Sequence, residues 1–526
     1  MIVIASAACV GYELAAEFGA IPPCMLPLAN KPLLERQVNA LRKKFSKERL
    51  VLSLPQSYVL STSNVNLLSD LGIQLIEVPD GLTLAESLLF VINTVGDDDS
   101  LLRILHGDTL IDDLPTANDV LAVAPTQTDY AWEIEVLDAQ EEIVWCGYFS
   151  FANARLFTKY LALSKGDFVT AVRSYDDQGR LERHYSTQWF DLGHINTYFA
   201  SRARITTERS FNALDIVDGF VCKSGSNHRK IEAEINWYLN IPVKIRLRTP
   251  QLLDYGDTDG RPYYVLEYLN HTPLNELFVH GRNPIFFWTR VFSHCDHFFH
   301  QCIDPSLAPV GRSENSFHDD VSRDMHDLLV AKTWDRLEKF AEESETSLNM
   351  PWRLNGNWLP SLQEIATRCI STAIGQPCVA GVMHGDFCFS NILFDSRADA
   401  IKVIDPRGIS HADQFTIYGD IAYDLAKLTH SVVGLYDFIL AGMYRLELME
   451  TGHLTFAIYA DKRTIEIQQL FLERSFAGGR LIPSKVIPHV ILLFLSMLPL
   501  HADNPERQLA LMANALRLYA DFEKKI

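Results

Sequence analysis

Three side chains suited to metal-dependent group transfer stand close together in the last third of the chain. Asp386 and Asn391 lie five residues apart in the segment His-Gly-Asp-Phe-Cys-Phe-Ser-Asn, and Asp405 follows fourteen residues after Asn391. Carboxylate and amide oxygens are ligands that Mg²⁺ prefers, and a carboxylate can also orient a hydroxyl group. The pattern therefore predicts a site that holds nucleotide phosphates through Mg²⁺ and transfers a phosphoryl group to a hydroxyl.

An apolar segment delivers the second aspartate to this site. Residues 401–404, Ile-Lys-Val-Ile, predict a strand that ends directly before Asp405. We assign the catalytic role to Asp386 and the metal-ligand roles to Asn391 and Asp405, with ATP and Mg²⁺ as cofactors. A turn or a helix cap is the alternative for Asp386 alone, and the register of all three residues argues against it.

These motifs resemble the family of aminoglycoside phosphotransferases and choline kinases, in which His-Gly-Asp-x-x-x-x-Asn forms the catalytic loop. Residues 418–426 contain Gly-Asp-x-x-x-Asp-Leu-Ala and resemble the start of the following helix in that family. The resemblance implies that Asp420 braces the catalytic loop, with an N-terminal helix cap as the alternative. It also implies a bilobal, protein-kinase-like fold in which a small mixed lobe precedes a helical lobe.

The same resemblance points to the residues that contact the nucleotide. Lys223, at the end of Phe-Val-Cys-Lys, is the candidate for the phosphate-binding lysine, and a glutamate on the next helix must hold it. Glu232 and Glu234 compete for that role, and the family's spacing to a downstream proline favours Glu232. A solvated surface lysine is the alternative for Lys223, because no glycine-rich loop precedes it.

Two further segments complete the predicted nucleotide site. Residues 265–269 resemble the hinge that reads adenine through backbone groups, so Glu267 and Leu269 are predicted cofactor-binding residues, with an ordinary sheet strand as the alternative. Arg407, two residues after Asp405, could reach an anionic group of the substrate or the phosphates. A structural salt bridge is the alternative for this arginine.

The first half of the chain carries a second set of motifs. Three segments resemble sugar-nucleotide pyrophosphorylases: residues 4–33, 107–108 and 189–193. The resemblance implies a GT-A-like, Rossmann-like α/β domain in which Asp108 and Asp191 bind Mg²⁺. The alternative for these two aspartates is that they only hold the fold together.

Three substitutions in the opening motif affect the groups that bind triphosphate in that family. Cys9 stands where the family has glycine, Glu13 where it has arginine, and Pro23 where it has lysine. Replacing arginine by glutamate changes the local charge by two units against a polyanion. We therefore predict a degenerate domain that binds a sugar nucleotide or sugar phosphate or helps the chain form a homo-oligomer. Retained nucleotidyl transfer and a non-catalytic scaffold are the alternatives.

Length and charge set the organisation and exclude some partners. The chain has 526 residues, 48% of them apolar, and a formal net charge of −19. We predict one domain over residues 1–205 and a second over 206–526, whose small lobe ends at about 270 and whose helical lobe starts at about 271. The acidic charge argues against nucleic acid and anionic membranes as partners.

Cysteine usage and hydropathy favour a cytoplasmic protein. The nine cysteines are scattered without a Cys-x-x-Cys pair, and the N-terminus enters a strand instead of a signal peptide. The apolar run 486–500 is too short to cross a membrane, so we predict a buried helix and no membrane insertion.

The motifs together predict an α/β nucleotidyltransferase-like domain followed by an α+β kinase-like domain. The predicted reaction transfers the γ-phosphoryl group of ATP to a hydroxyl of a small metabolite, such as a sugar, a sugar acid or an amino alcohol like choline. The domain pairing favours precursors of capsule or lipopolysaccharide. Tryptophans that could cage a quaternary ammonium group, but are more often core residues, are Trp288, Trp334, Trp352 and Trp358.

Overall fold

Two compact units make up the chain in the computed structural model, which describes residues 1–96, 101–125, 133–136, 142–179, 181–209, 214–307, 309, 313–450 and 452–524. The first unit comprises Met1–Ile205 and His280–Asn283, and the second comprises Thr206–Val279 and Pro284–Ile526. The short segment belongs to the first unit because the Asn283 side chain donates to the Glu17 carbonyl oxygen at 2.8 Å.

The first unit is an α/β unit built on one mixed sheet. Its strands are β1 (Ile2–Ala5), β2 (Leu50–Pro55), β3 (Gln74–Val78), β4 (Leu102–His106), β5 (Thr109–Ile111), β6 (Val120–Pro125), β7 (Ile134–Val136), β8 (Glu142–Phe151), β9 (Glu182–Tyr185) and β10 (Trp189–Asp191). Its helices are α1 (Tyr12–Phe18), α2 (Leu33–Lys44), α3 (Thr62–Asp70), α4 (Leu84–Val95), α5 (Ala154–Leu163), α6 (Phe168–Asp176) and α7 (Ile195–Arg209), with a 3₁₀ turn at Pro23–Met25.

The main sheet has the order β3-β2-β1-β4-β8-β6-β9, with β7 beside β8. Strands β1 to β4 run parallel, and β8 runs antiparallel to β4 and β6. The apolar sequences of β1 and β2 suit parallel strands covered on both faces. Strands β5 and β10 form a separate two-stranded sheet beside the carboxyl end of β4. This arrangement brings the predicted metal residues to one edge of the unit.

The second unit begins with a small sheet and continues as a largely helical lobe. Its strands are β11 (Leu214–Val217), β12 (Phe220–Ser224), β13 (Leu252–Thr258), β14 (Arg261–Glu267), β15 (Thr272–Pro273), β16 (Pro351–Leu354), β17 (Asn357–Ser361), β18 (Ala380–Val382), β19 (Ile392–Asp395), β20 (Ala400–Val403), β21 (Tyr418–Asp420), β22 (Tyr444–Glu450) and β23 (His453–Ile458).

The helices of the second unit are α8 (His228–Asn240), α9 (Val243–Arg246), α10 (Leu274–Val279), α11 (Ile285–Cys302), α12 (Glu314–Ser344), α13 (Leu362–Ile374), α14 (Ile421–Val432), α15 (Tyr436–Leu440), α16 (Lys462–Leu472), α17 (Ile487–Met497) and α18 (Pro505–Glu523). Turns of 3₁₀ helix lie at Pro305–Leu307, Phe389–Asn391, Ala477–Gly479, Pro483–Val486 and Leu498–His501. The helical lobe also carries a four-stranded sheet of order β17-β16-β23-β22.

The small sheet has the order β11-β12-β14-β13, and α8 packs against it. Its first two strands are joined by Asp218 and Gly219, whose φ values of +50° and +82° are those of a two-residue type I′ turn. A tight turn therefore lies directly before β12, the strand that carries Lys223. The predicted α/β class of the first unit and α+β class of the second are confirmed.

One apolar helical stretch, Pro483–His501, has the length and composition of a membrane span, and it is 19 residues long. The prediction that this run is too short was wrong, because the flanking 3₁₀ turns continue α17 at both ends. Nevertheless, 78% of its apolar window is buried inside the unit, as in the core helix of a folded domain. It packs against α12, α13, α14 and α18.

Candidate active site

The catalytic loop follows strand β18 and closes on itself through Asn391. The Asn391 side-chain amide donates to the Asp386 carbonyl oxygen at 3.0 Å and to the Asp386 carboxylate oxygen Oδ2 at 2.9 Å. The amide oxygen of Asn391, which is 3.5 Å from the Ser390 hydroxyl, remains available as a ligand. The two residues thus lie side by side, although their chemical roles remain predictions.

The hairpin of β19 and β20 brings Asp405 to the same loop. The backbone N–H of Ile404 donates to the Asn391 carbonyl oxygen at 3.0 Å. Asp405 has a φ of +58°, a left-handed conformation that few residues other than glycine, asparagine and aspartate adopt readily. The structure therefore places Asp405 next to Asn391 in an unusual backbone conformation.

Lys223, at the end of β12, contacts the candidate metal ligand. Its ammonium nitrogen Nζ lies 2.9 Å from Glu234 Oε2 and 3.0 Å from Asp405 Oδ1. Burial alone would lower the pKa of Lys223, but the two carboxylates raise it above its ordinary value. The lysine is therefore a fixed positive charge beside Asp405.

The prediction that Glu232 holds Lys223 was wrong, because Glu234 holds it. Residues two apart on α8 lie on nearly opposite faces of the helix. Glu234 faces inward and its side chain is 0% exposed, whereas Glu232 is 48% exposed and pairs with Arg229 at 3.7 Å. The apolar periodicity of α8 was the missed signal, since Glu234 follows the buried Ile231 by three residues.

Tyr264 fixes the buried glutamate from the neighbouring strand. Its hydroxyl donates to Glu234 Oε2 at 2.6 Å, and the Lys230 ammonium approaches Oε1 at 3.6 Å. A buried carboxylate is costly unless it is paired and hydrogen-bonded. These contacts stabilise the charge of Glu234 and so help to hold Lys223.

The hinge segment leaves one backbone donor free. The N–H of Glu267 donates to the Gln251 carbonyl oxygen at 3.0 Å, and the N–H of Tyr268 to the Gly219 carbonyl oxygen at 2.8 Å. No residue in the part of the chain that the structure describes accepts a hydrogen bond from the Leu269 N–H. The nucleotide-binding role of Glu267 and Leu269 stays a prediction, and a free N–H at this position is what it requires.

Two glycines allow the backbone segments of the site to approach one another. Gly385 has a φ of +81°, and a Cβ atom there would lie 2.5 Å from Cβ of Arg407. Gly408 has a φ of +65°, and a Cβ atom there would lie 2.0 Å from the Ala233 carbonyl oxygen. Both positions therefore require glycine, and they set the segment after Asp405 against α8.

Lys427 is a site residue that sequence reasoning missed. Its ammonium nitrogen lies 2.8 Å from Asp386 Oδ1. Burial would raise the pKa of Asp386, but the Lys427 charge and the hydrogen bond from Asn391 outweigh it and lower the pKa to about 2. Asp386 is therefore a fixed carboxylate at neutral pH. A lysine directly after the Asp-Leu-Ala helix motif was the available signal.

Asp424, and not Asp420, braces the catalytic loop. Its two carboxylate oxygens accept hydrogen bonds from the N–H groups of His384 (2.8 Å) and Gly385 (2.7 Å). Asp420 accepts from the Ala422 N–H at 2.9 Å and caps the start of α14. The predicted bracing role of Asp420 was wrong, and the alternative of a helix cap is what the structure shows.

The four tryptophans differ in burial. Trp288 and Trp352 are buried in the core, at 0% and 4% exposure. Trp358 is 62% exposed and lies beside the Arg353 guanidinium at 6.0 Å. Trp334 is half-buried on α12. The core alternative therefore holds for Trp288 and Trp352.

In the first unit, Asp108 and Asp191 come together as the motifs suggest. The Leu192 N–H donates to the Asp108 carbonyl oxygen at 2.9 Å, and the register of β10 and β5 pairs Asp191 with Thr109. Burial raises the pKa of both carboxyls, and the charge of Asp108 raises that of Asp191 further. A divalent cation would relieve this repulsion, so the pair fits the predicted Mg²⁺ site, which stays a prediction.

The opening loop of the first unit offers no positive charge to a triphosphate. Residues 1–30 contain no lysine or arginine. Cys9 and Glu13 are exposed, and Glu13 lies in the first turn of α1, where an acidic side chain opposes binding of an anion. Lys31 forms an ion pair with Glu35 on α2. The charge argument from the sequence thus holds for the folded loop.

The donor set of the second unit fits Mg²⁺ when nucleotide phosphates complete it. The described residues contain no cluster of three or more histidine, cysteine, aspartate or glutamate side chains arranged around a metal. Mg²⁺ in nucleotide sites typically takes one or two protein oxygens together with phosphates and water. Asp405 and the amide oxygen of Asn391 are oxygen donors of that kind.

No protein-family model matches the chain, and no curated protein matches it. Solved structures are similar to each half. The nucleoside-diphosphate-sugar pyrophosphorylase of Vibrio cholerae is 14% identical, with 38% of this chain and 99% of that chain covered and a TM-score of 0.32. A thermostable mutant of an aminoglycoside phosphotransferase, in complex with ADP and hygromycin B, is 13% identical, with 58% and 88% covered and a TM-score of 0.35.

A third similar structure is the ethanolamine kinase of Plasmodium vivax. It is 14% identical, with 58% of this chain and 78% of that chain covered and a TM-score of 0.31. These proteins belong to the two groups that the sequence motifs resemble.

Proposed function

We propose that the second unit is a phosphotransferase that uses Mg²⁺ and ATP to phosphorylate a hydroxyl group of a small metabolite. The observation that carries this proposal is the position of Lys223, whose ammonium lies between Glu234 and Asp405. A phosphate-binding lysine held by a helix glutamate beside a metal-ligand aspartate is the arrangement of kinase nucleotide sites.

The side chains divide the work by position. Lys223 binds the nucleotide phosphates, while Asn391 and Asp405 would hold Mg²⁺, which supplies charge neutralisation on the phosphates when bound. Asp386 orients the acceptor hydroxyl and accepts its proton as the hydroxyl oxygen bonds to the γ-phosphorus. The bond from the γ-phosphorus to the bridging oxygen breaks at the same time, and ADP leaves with that oxygen.

The low pKa of Asp386 fits a role in positioning more than in strong base catalysis. A carboxylate that Lys427 holds at a pKa of about 2 is a weak base. The phosphoryl transition state is loose, and proton removal contributes little early in the transfer. Orientation of the hydroxyl against the phosphate is therefore the main contribution of Asp386.

The pathway is a further proposal that rests on the pairing of the two parts alone. A kinase makes a phosphomonoester, and a nucleotidyltransferase activates one. We place the reaction among the steps that make precursors of surface polysaccharides, in the cytoplasm. Finding that the enzyme phosphorylates only an antibiotic would contradict this placement.

Calorimetry with MgATP tests the nucleotide site without knowledge of the acceptor. We expect binding in the native chain and in Asp386→Ala, and loss of Mg²⁺-dependent binding in Asp405→Asn, which keeps the left-handed backbone accessible. With an acceptor present, Asp386→Ala should lower the rate of ADP release by about 10²- to 10⁴-fold. Normal turnover of Asp386→Ala, or undiminished Mg²⁺-dependent binding in Asp405→Asn, would contradict the assignment.

A further inference from the structure

Four basic side chains lie on elements that pack next to the loop that carries Asp386. We call them the basic cluster: Lys332 and Arg336 on α12, Arg407 after β20, and Lys427 on α14. Lys427 contacts the Asp386 carboxylate directly at 2.8 Å. Arg407 is fixed beside the catalytic loop, because its N–H donates to the His384 carbonyl oxygen at 2.8 Å and its side chain packs on Gly385.

The helices bring the other two cations to the same place. Lys332 and Arg336 are four residues apart and share one face of α12. Helix α12 packs against α17 and against β21, the strand that leads directly into α14. On α14, Tyr423 and Lys427 share a face in the same way.

The charges of the basic cluster act on one another and on Tyr423. Burial would raise the pKa of Tyr423, but Lys332, Lys427 and Arg407 lower it to about 8. Tyr423 raises the pKa of Lys332, yet burial and the other three cations together lower it below its ordinary value. Helix α12 also packs against β18, the strand that leads into the Asp386 loop, so the four groups come from neighbouring elements.

The basic cluster is not neutralised by the residues around it. Lys427 pairs with Asp386, and Arg336 donates to the Ser496 carbonyl oxygen at 3.2 Å. Across the described ranges of the second unit, Lys332, Arg336 and Arg407 have no ion-pair partner. Half-buried cations without counterions cost folding free energy. A protein most readily retains residues that carry such a cost at a site where a ligand supplies the missing negative charge.

The basic cluster is separate from the proposed nucleotide contacts. Lys223 contacts Asp405 and Glu234. Lys427 contacts Asp386, and Arg336 contacts the Ser496 carbonyl oxygen. Asp386 contacts Asn391 through Oδ2 and Lys427 through Oδ1. Because the proposed function places the acceptor hydroxyl at Asp386, the cluster lies next to the proposed acceptor position.

We propose that the acceptor is a small hydroxyl compound that carries its own acidic group, a carboxylate or a phosphate, and that the basic cluster binds this group. The proposal rests on the proposed phosphotransferase function and narrows its substrate class. It sets aside choline and other cationic amino alcohols. Trp288 and Trp352 are core residues, and Asp386, the carboxylate that contacts the cluster, is already paired with Lys427.

The test compares acceptors that differ in charge but share a scaffold. ADP release is measured with MgATP and glucose, glucuronate, glucose 6-phosphate and glucosamine, and with choline and ethanolamine. We expect turnover with at least one of the two anionic compounds and none with the neutral or cationic ones. Glucuronate alone would identify a carboxylate site, and glucose 6-phosphate alone a phosphate site. Turnover with only neutral or cationic compounds would overturn the proposal while leaving the phosphotransferase function intact.

Lys332→Met tests the cluster itself, with Lys339→Met as the matched control. Lys339 lies on the same helix, is 62% exposed and pairs with Glu343. Because a charge-assisted hydrogen bond is lost, Lys332→Met should raise the KM for the anionic acceptor about 10- to 100-fold and leave the KM for ATP unchanged. It should also unfold at a higher temperature than the native chain, since an uncompensated charge is removed.

The pattern of KM changes separates the possible failures. A rise in the KM for ATP with no change for the acceptor would show that the cluster binds the nucleotide, and would overturn the proposal. Calorimetry with MgADP present covers the case in which none of the acceptors turns over. Binding of glucuronate or glucose 6-phosphate that Lys332→Met weakens would support the proposal, and absence of binding by both anions would count against it. If the native chain does not bind MgATP, this result would instead contradict the phosphotransferase function.

Discussion

At the residue scale, Glu234 shows how burial selects one of two neighbouring carboxylates. The Glu234 side chain is fully buried between Lys223 and Tyr264, whereas Glu232 is 48% exposed beside Arg229. Exposed ion pairs contribute between about 0 and 1 kcal/mol, while breaking a buried pair costs about 3–5 kcal/mol, because it leaves an uncompensated charge. Substitution of Glu232 is therefore a matched control for substitution of Glu234.

We expect Glu234→Ala to lower the free energy of unfolding by about 3–5 kcal/mol and to weaken MgATP binding, because Lys223 loses its fixed partner. Glu232→Ala should change stability by less than about 0.5 kcal/mol and leave binding intact. Chemical denaturation and calorimetry on both variants measure the two effects. Equal effects of the two substitutions would contradict the assignment of Glu234.

The proximity of single residues was predictable where several motifs had to agree. Asp386, Asn391 and Asp405 could be predicted together because their spacing is fixed by one loop and one strand. Lys427 and Tyr264 could not, because each acts from another element and its contact depends on packing. The dependence on packing also explains why Glu232 was predicted as the partner of Lys223. The spacing to Pro242 favoured Glu232, but the buried face of α8 carries Glu234 instead.

At the scale of elements, α14 controls the catalytic loop through its first turns. Asp420 caps the helix, Asp424 accepts both N–H groups of His384 and Gly385, and Lys427 holds Asp386. One helix therefore sets the backbone of the loop and the carboxylate that it carries. The sequence motif at the start of α14 indicated its importance but not which aspartate makes which contact.

We expect Asp424→Asn to reduce kcat while MgATP binding persists. An asparagine can accept only one of the two backbone hydrogen bonds, so the loop loses about 1–3 kcal/mol of support. Asp420→Asn is the matched control, since asparagine is as good a helix cap as aspartate. Steady-state kinetics and thermal unfolding of both variants test this. A larger loss of kcat in Asp420→Asn would contradict the bracing role of Asp424.

Helix α12 carries two of the four residues of the basic cluster, Lys332 and Arg336, and no sequence motif indicated their role. Helix α12 spans 31 residues, and its charges are mixed along its length. Lys332 differs from Lys339 only in what surrounds it in the fold, and a single sequence does not contain that information. The acceptor class was therefore beyond prediction until α12, α14 and the segment after β20 were placed together.

At the scale of the whole molecule, the chain joins a unit with a proposed phosphotransferase site to a unit whose opening loop lacks the basic residues predicted to bind a triphosphate. The first unit keeps a pair of aspartates suited to Mg²⁺, Asp108 and Asp191, but presents Glu13 and no basic residue in its opening loop. The predicted division at residues 205 and 206 coincides with the division between the two compact units. The short segment His280–Asn283, which belongs to the first unit, was not predicted, because it lies far along the chain from the rest of that unit.

We expect no pyrophosphate release from CTP, UTP or GTP with sugar 1-phosphates. Loss of a phosphate-binding arginine typically lowers phosphoryl-transfer rates by on the order of 10³-fold or more, and a glutamate in its place repels the nucleotide further. A coupled pyrophosphate assay on the native chain measures this, with Asp108→Asn as the control. Pyrophosphate release that Asp108→Asn abolishes would show that the first unit is an active nucleotidyltransferase.

The backbone of Asp405 has a consequence for how this protein can change over evolutionary time. At a φ of +58°, only aspartate, asparagine and glycine are accommodated without strain. Of these, only aspartate carries the charge that faces Lys223. A drift from aspartate to asparagine would keep this backbone conformation and remove that charge, so under the proposed function a related chain could lose its activity through one substitution that leaves its backbone unchanged.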